Sequence, residues 1–265
     1  MGSPPRVGTV DWERAGGPPL SLPQRAGLLA GAGAMVVSHF AQRGRWWLGR
    51  RGALRAPSPP ARVDLSRWSP PDTKAAREAE ALLREMASPQ MIGHSFRTYW
   101  FSCVAYERAE KKPSLDREAL YVAALAHDVA LFDPSPPPGE RCFTVGCARR
   151  ARQIATRAGW DGRRQDRMAM AITSNLNPSV PAAVYGAEAH FLSLGGRVEV
   201  LAEEWKVHPE NLAEILSRHP RGGWAKDALA HVEQERKRHP GCRFACLYPV
   251  FDWMLARSHF TLDAR

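Results

Sequence analysis

No apolar run in this 265-residue chain is long enough to cross a bilayer. The longest, GLLAGAGAMVV from Gly27 to Val37, has eleven residues, against the ~20 that a spanning helix requires. Acids and arginines mix ahead of it and no cleavage pattern follows, so a secretory signal is not expected either, and a cytoplasmic location is. Cysteine is scarce and odd in number, five in all, which excludes a disulfide framework. Cys242 and Cys246 are four apart, and Cys142 and Cys147 flank a helix start, but neither pair has the CxxC partners of a structural zinc knuckle. Buried, reduced thiols are the expectation. A strand-like alternation, a fixed-period repeat and a glycine-rich phosphate loop are missing as well.

Acid is nearly absent from the front of the chain. Residues 1 to 62 hold nine arginines against Asp11 and Glu13, which accounts for +7 of the net charge of +10 and leaves +3 for the rest. Such a segment can hold an anionic surface or a nucleic acid nonspecifically. RGRWWLGRRGALR, Arg43 to Arg55, mixes tryptophan with arginine as membrane-surface and single-strand-binding segments do, although no recognised nucleic-acid module accompanies it. Proline, glycine and arginine dominate residues 1–71, with APSPPAR at 56–62, and this composition reads as a poorly ordered basic arm and linker.

From Asp72 the character changes to helical patterns with short breaks, and residues 72–265 are expected to form an all-α domain. Asp72 or Thr73 is placed to cap TKAAREAEALLREMA. Ser88-Pro89 breaks that helix and starts another, from Gln90 to about Glu110, with an aromatic side made by Phe96, Tyr99, Trp100 and Tyr106. Asp116 can cap a third, ALYVAALA, that ends at His127-Asp128 before a proline-rich loop. Further helices are expected at Phe143–Ala158, Gly162–Ser174, Ala182–Leu194, Pro209–Arg218, Trp224–Arg238 and Phe244–Arg257. The last third reads as helices that close the bundle or pair two chains into a homodimer.

Two motifs carry chemistry. GHSFRTYWF at 93–101 puts a histidine on an aromatic helix, and AHDVALF places His127 and Asp128 thirty-three residues beyond His94. Ligands on one helix cannot surround a cation, so imidazoles and a carboxylate offered by two helices suit a divalent ion. This order resembles the HD-domain superfamily, and within it the branch similar to cyanamide hydratase; the resemblance spans about residues 72–204. It implies an HD-type bundle in which His94, His127 and Asp128 bind one divalent ion, zinc or iron. Asp128 and Arg97 are the catalytic candidates, Arg97 by orienting a carboxylate or the substrate; the other reading of Arg97 is a surface pair with an acid such as Glu85. It also implies hydrolysis of a small phosphate ester or addition of water to a small nitrile. Trp100, Phe132 and Asn175 are candidate pocket residues.

The later segments depart from that pattern. Related proteins often carry a histidine where this chain has Asn175. Arg197 in EAHFLSLGGRVEVLAE aligns with the aspartate that closes the family's metal site. A guanidinium cannot ligate a cation. Glu199, Glu188 or His190 could supply the missing ligand if the register differs. Alternatively Arg197 replaces the ion by pairing with Asp128, which leaves a metal-free binding or structural module.

Overall fold

A computed structural model describes residues 5–55, 60–137 and 139–260 of the chain. Among these, twelve α-helices and three short 3-10 turns make an all-α fold. The helices are α1 (Val10–Arg14), α2 (Leu22–Arg50), α3 (Lys74–Met86), α4 (Pro89–Glu107), α5 (Arg117–Ala126), α6 (Phe143–Arg157), α7 (Gly162–Ser174), α8 (Ala182–Tyr185), α9 (Ala187–Val200), α10 (Pro209–Arg218), α11 (Trp224–Arg238) and α12 (Arg243–Leu255).

Capping chemistry sets many of these boundaries. Thr73, Ser88, Asp116 and Asp161 each accept a hydrogen bond from a backbone N–H in the first turn of α3, α4, α5 and α7, satisfying donors that a helix start leaves without partners. Pro89 fills the first position of α4, where the missing N–H costs nothing. The helix expected over 182–194 is in fact two. Gly186, at φ 87°, ends α8 and starts α9, a left-handed turn that an L side chain resists.

The site is built on α4, α5 and α9. Every residue of α5 from Ala119 to Ala126 is buried, and each large side chain there, such as Leu120 or Leu125, contributes roughly 1.5–3 kcal/mol. Along α4, thirteen of its nineteen residues are buried. α9 comes close enough to α4 that a Cβ on Gly195 would stand 2.2 Å from Ser102 Oγ and 2.4 Å from the Thr98 carbonyl oxygen. Glycine at this position permits the backbone approach.

The N-terminal segment differs from the poorly ordered arm its composition suggests. Residues 22–50 form the longest helix of the described chain, opened by a capping box in which Ser21 and Gln24 satisfy each other. Ahead of it, Trp12 is buried, Glu13 pairs with Arg152 at 3.0 Å, and the Gly8 carbonyl accepts from Thr173 Oγ1 at 2.9 Å. Residues 60–71 are docked too. Val63, Leu65 and Trp68 are buried, and Asn211 both accepts from the Val63 N–H and donates to its carbonyl. Leucines, alanines and the capping box make α2 a helix despite the prolines and glycines of the surrounding segment. Residues 56–59, part of the proline-rich stretch, lie outside the described residues.

Candidate metal centre

His127 is held by the end of its own helix. It is the C-terminal cap of α5, and its Nδ1 lies 2.7 Å from the Ala124 carbonyl oxygen. That oxygen can only accept, so Nδ1 carries a hydrogen and Nε2 is the ring nitrogen turned toward Asp128. Asp128 follows with φ −120° and ψ −1°, which breaks the α-helical course and leads into the 3-10 turn Val129–Phe132. Its Oδ2 is 3.2 Å from His127 Nε2. An apolar helix thus ends in two polar side chains turned toward one point.

His94 reaches the same point from α4. Its Nε2 is 3.5 Å from Asp128 Oδ2, and its ring centroid is 5.3 Å from that of His127. Trp224, at the start of α11, stacks on the His94 ring at 4.8 Å with the planes 2° apart. Behind the ring, Glu199 Oε1 from α9 faces His94 Nδ1 at 3.9 Å, an electrostatic pairing too long to be a hydrogen bond. Histidines that hold metals commonly have a carboxylate against the nitrogen turned away from the ion, which fixes the ring and raises its basicity.

Glu199 is itself locked. Arg97 donates to its Oε1 from Nε at 2.9 Å and from Nη2 at 2.6 Å, and Arg221 Nε donates at 3.3 Å. Both Arg97 and Glu199 are 0% exposed. Arg97 also donates to the carbonyls of His219 and Pro220. Gly93 leaves room for the guanidinium, because a Cβ there would stand 2.8 Å from Nη1. Arg97 therefore orients a carboxylate and is not a surface arginine paired with Glu85.

The charged groups of the centre compensate one another. Burial by itself would push the Asp128 carboxyl up, but His127 and then His94 hold it well below the usual range. Burial would raise Glu199 as well, and Arg97 outweighs it. For His94, burial pulls the pKa down, yet Asp128 and Glu199 bring it above the ordinary value. His94, His127 and Asp128 each offer one ligand atom, all within 4.8 Å of one another. Two imidazoles and a carboxylate form a donor set that suits a first-row divalent ion.

The other expected residues divide. Asn175 and Arg197 line the cavity beside the cluster. Arg197, however, pairs with Glu203 at 3.4 Å, whereas the ion pairs of Asp128 are with the two histidines, so Arg197 does not replace an ion by contact with Asp128. Trp100 is buried with Tyr99 against its edge and Arg218 over its face, away from the cavity wall. Phe132 packs against His231 and beside Trp224 and Met91 rather than facing the cavity. Glu188 accepts from the Asp116 N–H, and His190 Nδ1 is bound at the Val180 carbonyl. Neither supplies a ligand.

The cavity holds about 100 Å³ and is mostly apolar, with Leu131, Leu176, Trp224, Phe251 and Met254 in its wall and the cluster at its polar end. Ala32 and Met35 of α2 close one side. The last third, expected to close the bundle or pair two chains, also supplies much of this wall through α11 and α12. No local pattern marks Trp224 as a ring partner, because the contact exists only once α11 has packed on α4. No family model matches the chain, and no curated protein matches it either.

Proposed function

We propose that the chain is an HD-type, metal-dependent hydrolase or hydratase acting on a small uncharged molecule. One observation carries the reading. His127, held through Nδ1 by the Ala124 carbonyl, turns Nε2 to the Asp128 carboxylate at 3.2 Å with His94 Nε2 alongside. Two imidazole nitrogens and a carboxylate converging in a buried site suit a proton or a metal ion between them, and the donor set is the one a divalent ion takes. A divalent ion, held by His94, His127 and Asp128, would supply Lewis acidity toward water and toward the electrophilic atom of the substrate.

The remaining chemistry falls to the chain. Glu199, clamped by Arg97 and Arg221, keeps the His94 ring turned so that Nε2 points inward. The Ala124 carbonyl does the same for His127. Leu131, Phe251 and Met254 limit bulk water around the reacting groups, and Asn175 offers an amide at the polar end. A phosphate ester fits less well. The wall is mostly apolar, and its arginine, Arg197, is turned toward Glu203 at 3.4 Å. A nitrile or a comparably small neutral electrophile suits the volume and the lining.

The test is a turnover assay on chelator-treated protein reloaded separately with zinc, ferrous and manganese ions, using small nitriles and small phosphate monoesters. Metal-dependent hydration of a nitrile that disappears in Asp128→Asn supports the reading. Turnover that is indifferent to both chelator and Asp128→Asn removes it.

A further inference from the structure

Seven of the eight large hydrophobic side chains most exposed in the described chain lie on α2 or just beyond it: Leu22, Leu29, Val37, Phe40, Trp47, Leu48 and Leu54. At 100° per residue the six within the helix fall inside an arc of about 100°. The other positions on that arc, Ala26, Ala30, Gly33 and Gly44, are small and apolar, and no polar side chain interrupts it. Leu22 is 80% and Val37 69% exposed. The opposite face is the packed one, with Ala32 and His39 buried. α2 therefore runs along the protein surface for roughly 43 Å with a continuous apolar stripe that is exposed along its length, although Phe40 also packs on Trp253, far more than the scattered leucines of an ordinary surface.

We propose that this stripe docks α2 flat on an anionic lipid surface. Every charged residue of the helix is an arginine, Arg25, Arg43, Arg45 and Arg50, all exposed, and it carries no acid. Arg51 lies over the Trp47 ring at 3.8 Å and Arg50 over Trp46 at 5.1 Å, a pairing of indole and guanidinium suited to the headgroup layer. Apolar residues on one side and arginines at its margins match a surface whose interior is hydrocarbon and whose edge is phosphate. A second copy fits less well. The small residues would let a second α2 approach, but its margins bring only arginines, with no acid on the helix to pair with them. A nucleic acid would satisfy the arginines and leave Leu22, Leu29 and Val37 in water. Among the described residues no helix is long and apolar enough to cross the bilayer, so the contact of α2 is interfacial. Because Ala32 and Met35 on the packed side line the cavity, docking sets the cavity about one helix diameter, ~10 Å, from the lipid.

The experiment is flotation of the full chain with vesicles of phosphatidylcholine alone or mixed with phosphatidylglycerol, at low and high salt. The expected result is recovery with the anionic vesicles, at least about tenfold weaker on neutral vesicles or in high salt. Arg45→Gln should weaken binding by about fivefold. Val37→Glu and Leu29→Glu should abolish it while the circular dichroism of the free protein is unchanged. Failure of the wild type to float with anionic vesicles overturns the proposal, as does flotation that survives both glutamate variants. So does a dimer in sedimentation velocity that Leu29→Glu dissociates, since a second copy would then cover the stripe, and so does retention on single-stranded RNA in place of vesicles. None of these outcomes depends on whether the histidine cluster binds a metal.

Discussion

His127 faces Asp128 across 3.2 Å with Nε2, the ring nitrogen opposite the one held by the Ala124 carbonyl. A carboxylate and a lone pair at that separation in a buried site repel unless a proton or a metal ion stands between them. Asp128 is therefore the residue whose charge matters most. Asp128→Asn keeps the shape and removes the charge, and it is expected to lower metal-dependent turnover by at least about 100-fold. Steady-state kinetics on metal-reloaded protein checks this, with circular dichroism to confirm that the fold persists.

Glu199 acts through His94. Glu199→Gln is expected to weaken metal affinity by about 10- to 100-fold, the usual effect of losing the carboxylate behind a liganding histidine. A chelator-competition titration reads this directly. The same change leaves the buried guanidinium of Arg97 without its counter-ion, and a loss of up to about 3–5 kcal/mol in urea unfolding is expected. If Glu199 were only structural, Glu199→Gln would lower stability and leave the chelator competition unmoved.

The approach of α9 to α4 depends on Gly195. An added methyl group would stand within 2.7 Å of Ser102 Oγ, Ser102 N and the Thr98 carbonyl oxygen, two of which are backbone atoms that cannot swing aside. Gly195→Ala is expected to cost about 1–3 kcal/mol and to move Glu199 away from His94. Thermal unfolding, followed together with metal affinity, should show both falling. Gly196→Ala is the control, because there the nearest atom is Asn175 Oδ1 at 3.6 Å.

Acid should weaken the fold through His219. Burial, then the charges of Arg97, Arg218 and Arg84, bring its pKa from 6.5 down to about 4, and the neutral ring stacks on Phe96 at 4.8 Å. Between those values the unfolded chain binds the proton and the folded chain does not. The stabilisation is therefore complete above about pH 6.5 and is lost as the pH falls toward 4. Allowing for the ring's partial exposure, about 1 kcal/mol is at stake between pH 7 and pH 5. Urea midpoints at the two pH values should converge in His219→Gln relative to the wild type.

Much of the fold could be read from local chemistry. Thr73, Ser88, Asp116 and Asp161 cap helices that the apolar spacing already outlined, and the expected spans at 162–174, 209–218 and 224–238 coincide with α7, α10 and α11. Composition misled at the front, where glycine and proline counts hid α2, and at 182–194, where Gly186 divides the helix. At the site, His94, His127 and Asp128 were legible because their motifs are local and their order along the chain is informative. The partners that position them were harder to see. Glu199 meets Arg97 across 102 residues of sequence, and Trp224 meets His94 only through tertiary packing. Arg197 illustrates the limit: its place in the chain suggested a pair with Asp128, and the α9 C-terminus turns it instead to Glu203.

Metal content tests the central claim most directly. Inductively coupled plasma mass spectrometry should be run on wild type and His127→Ala, each purified without chelator and then equilibrated with zinc, ferrous or manganese ions and desalted. The account predicts close to one ion per chain in the wild type for at least one of these metals, and essentially none in the variant. A wild type that retains no ion under any loading, or a variant that retains as much as the wild type, would contradict it.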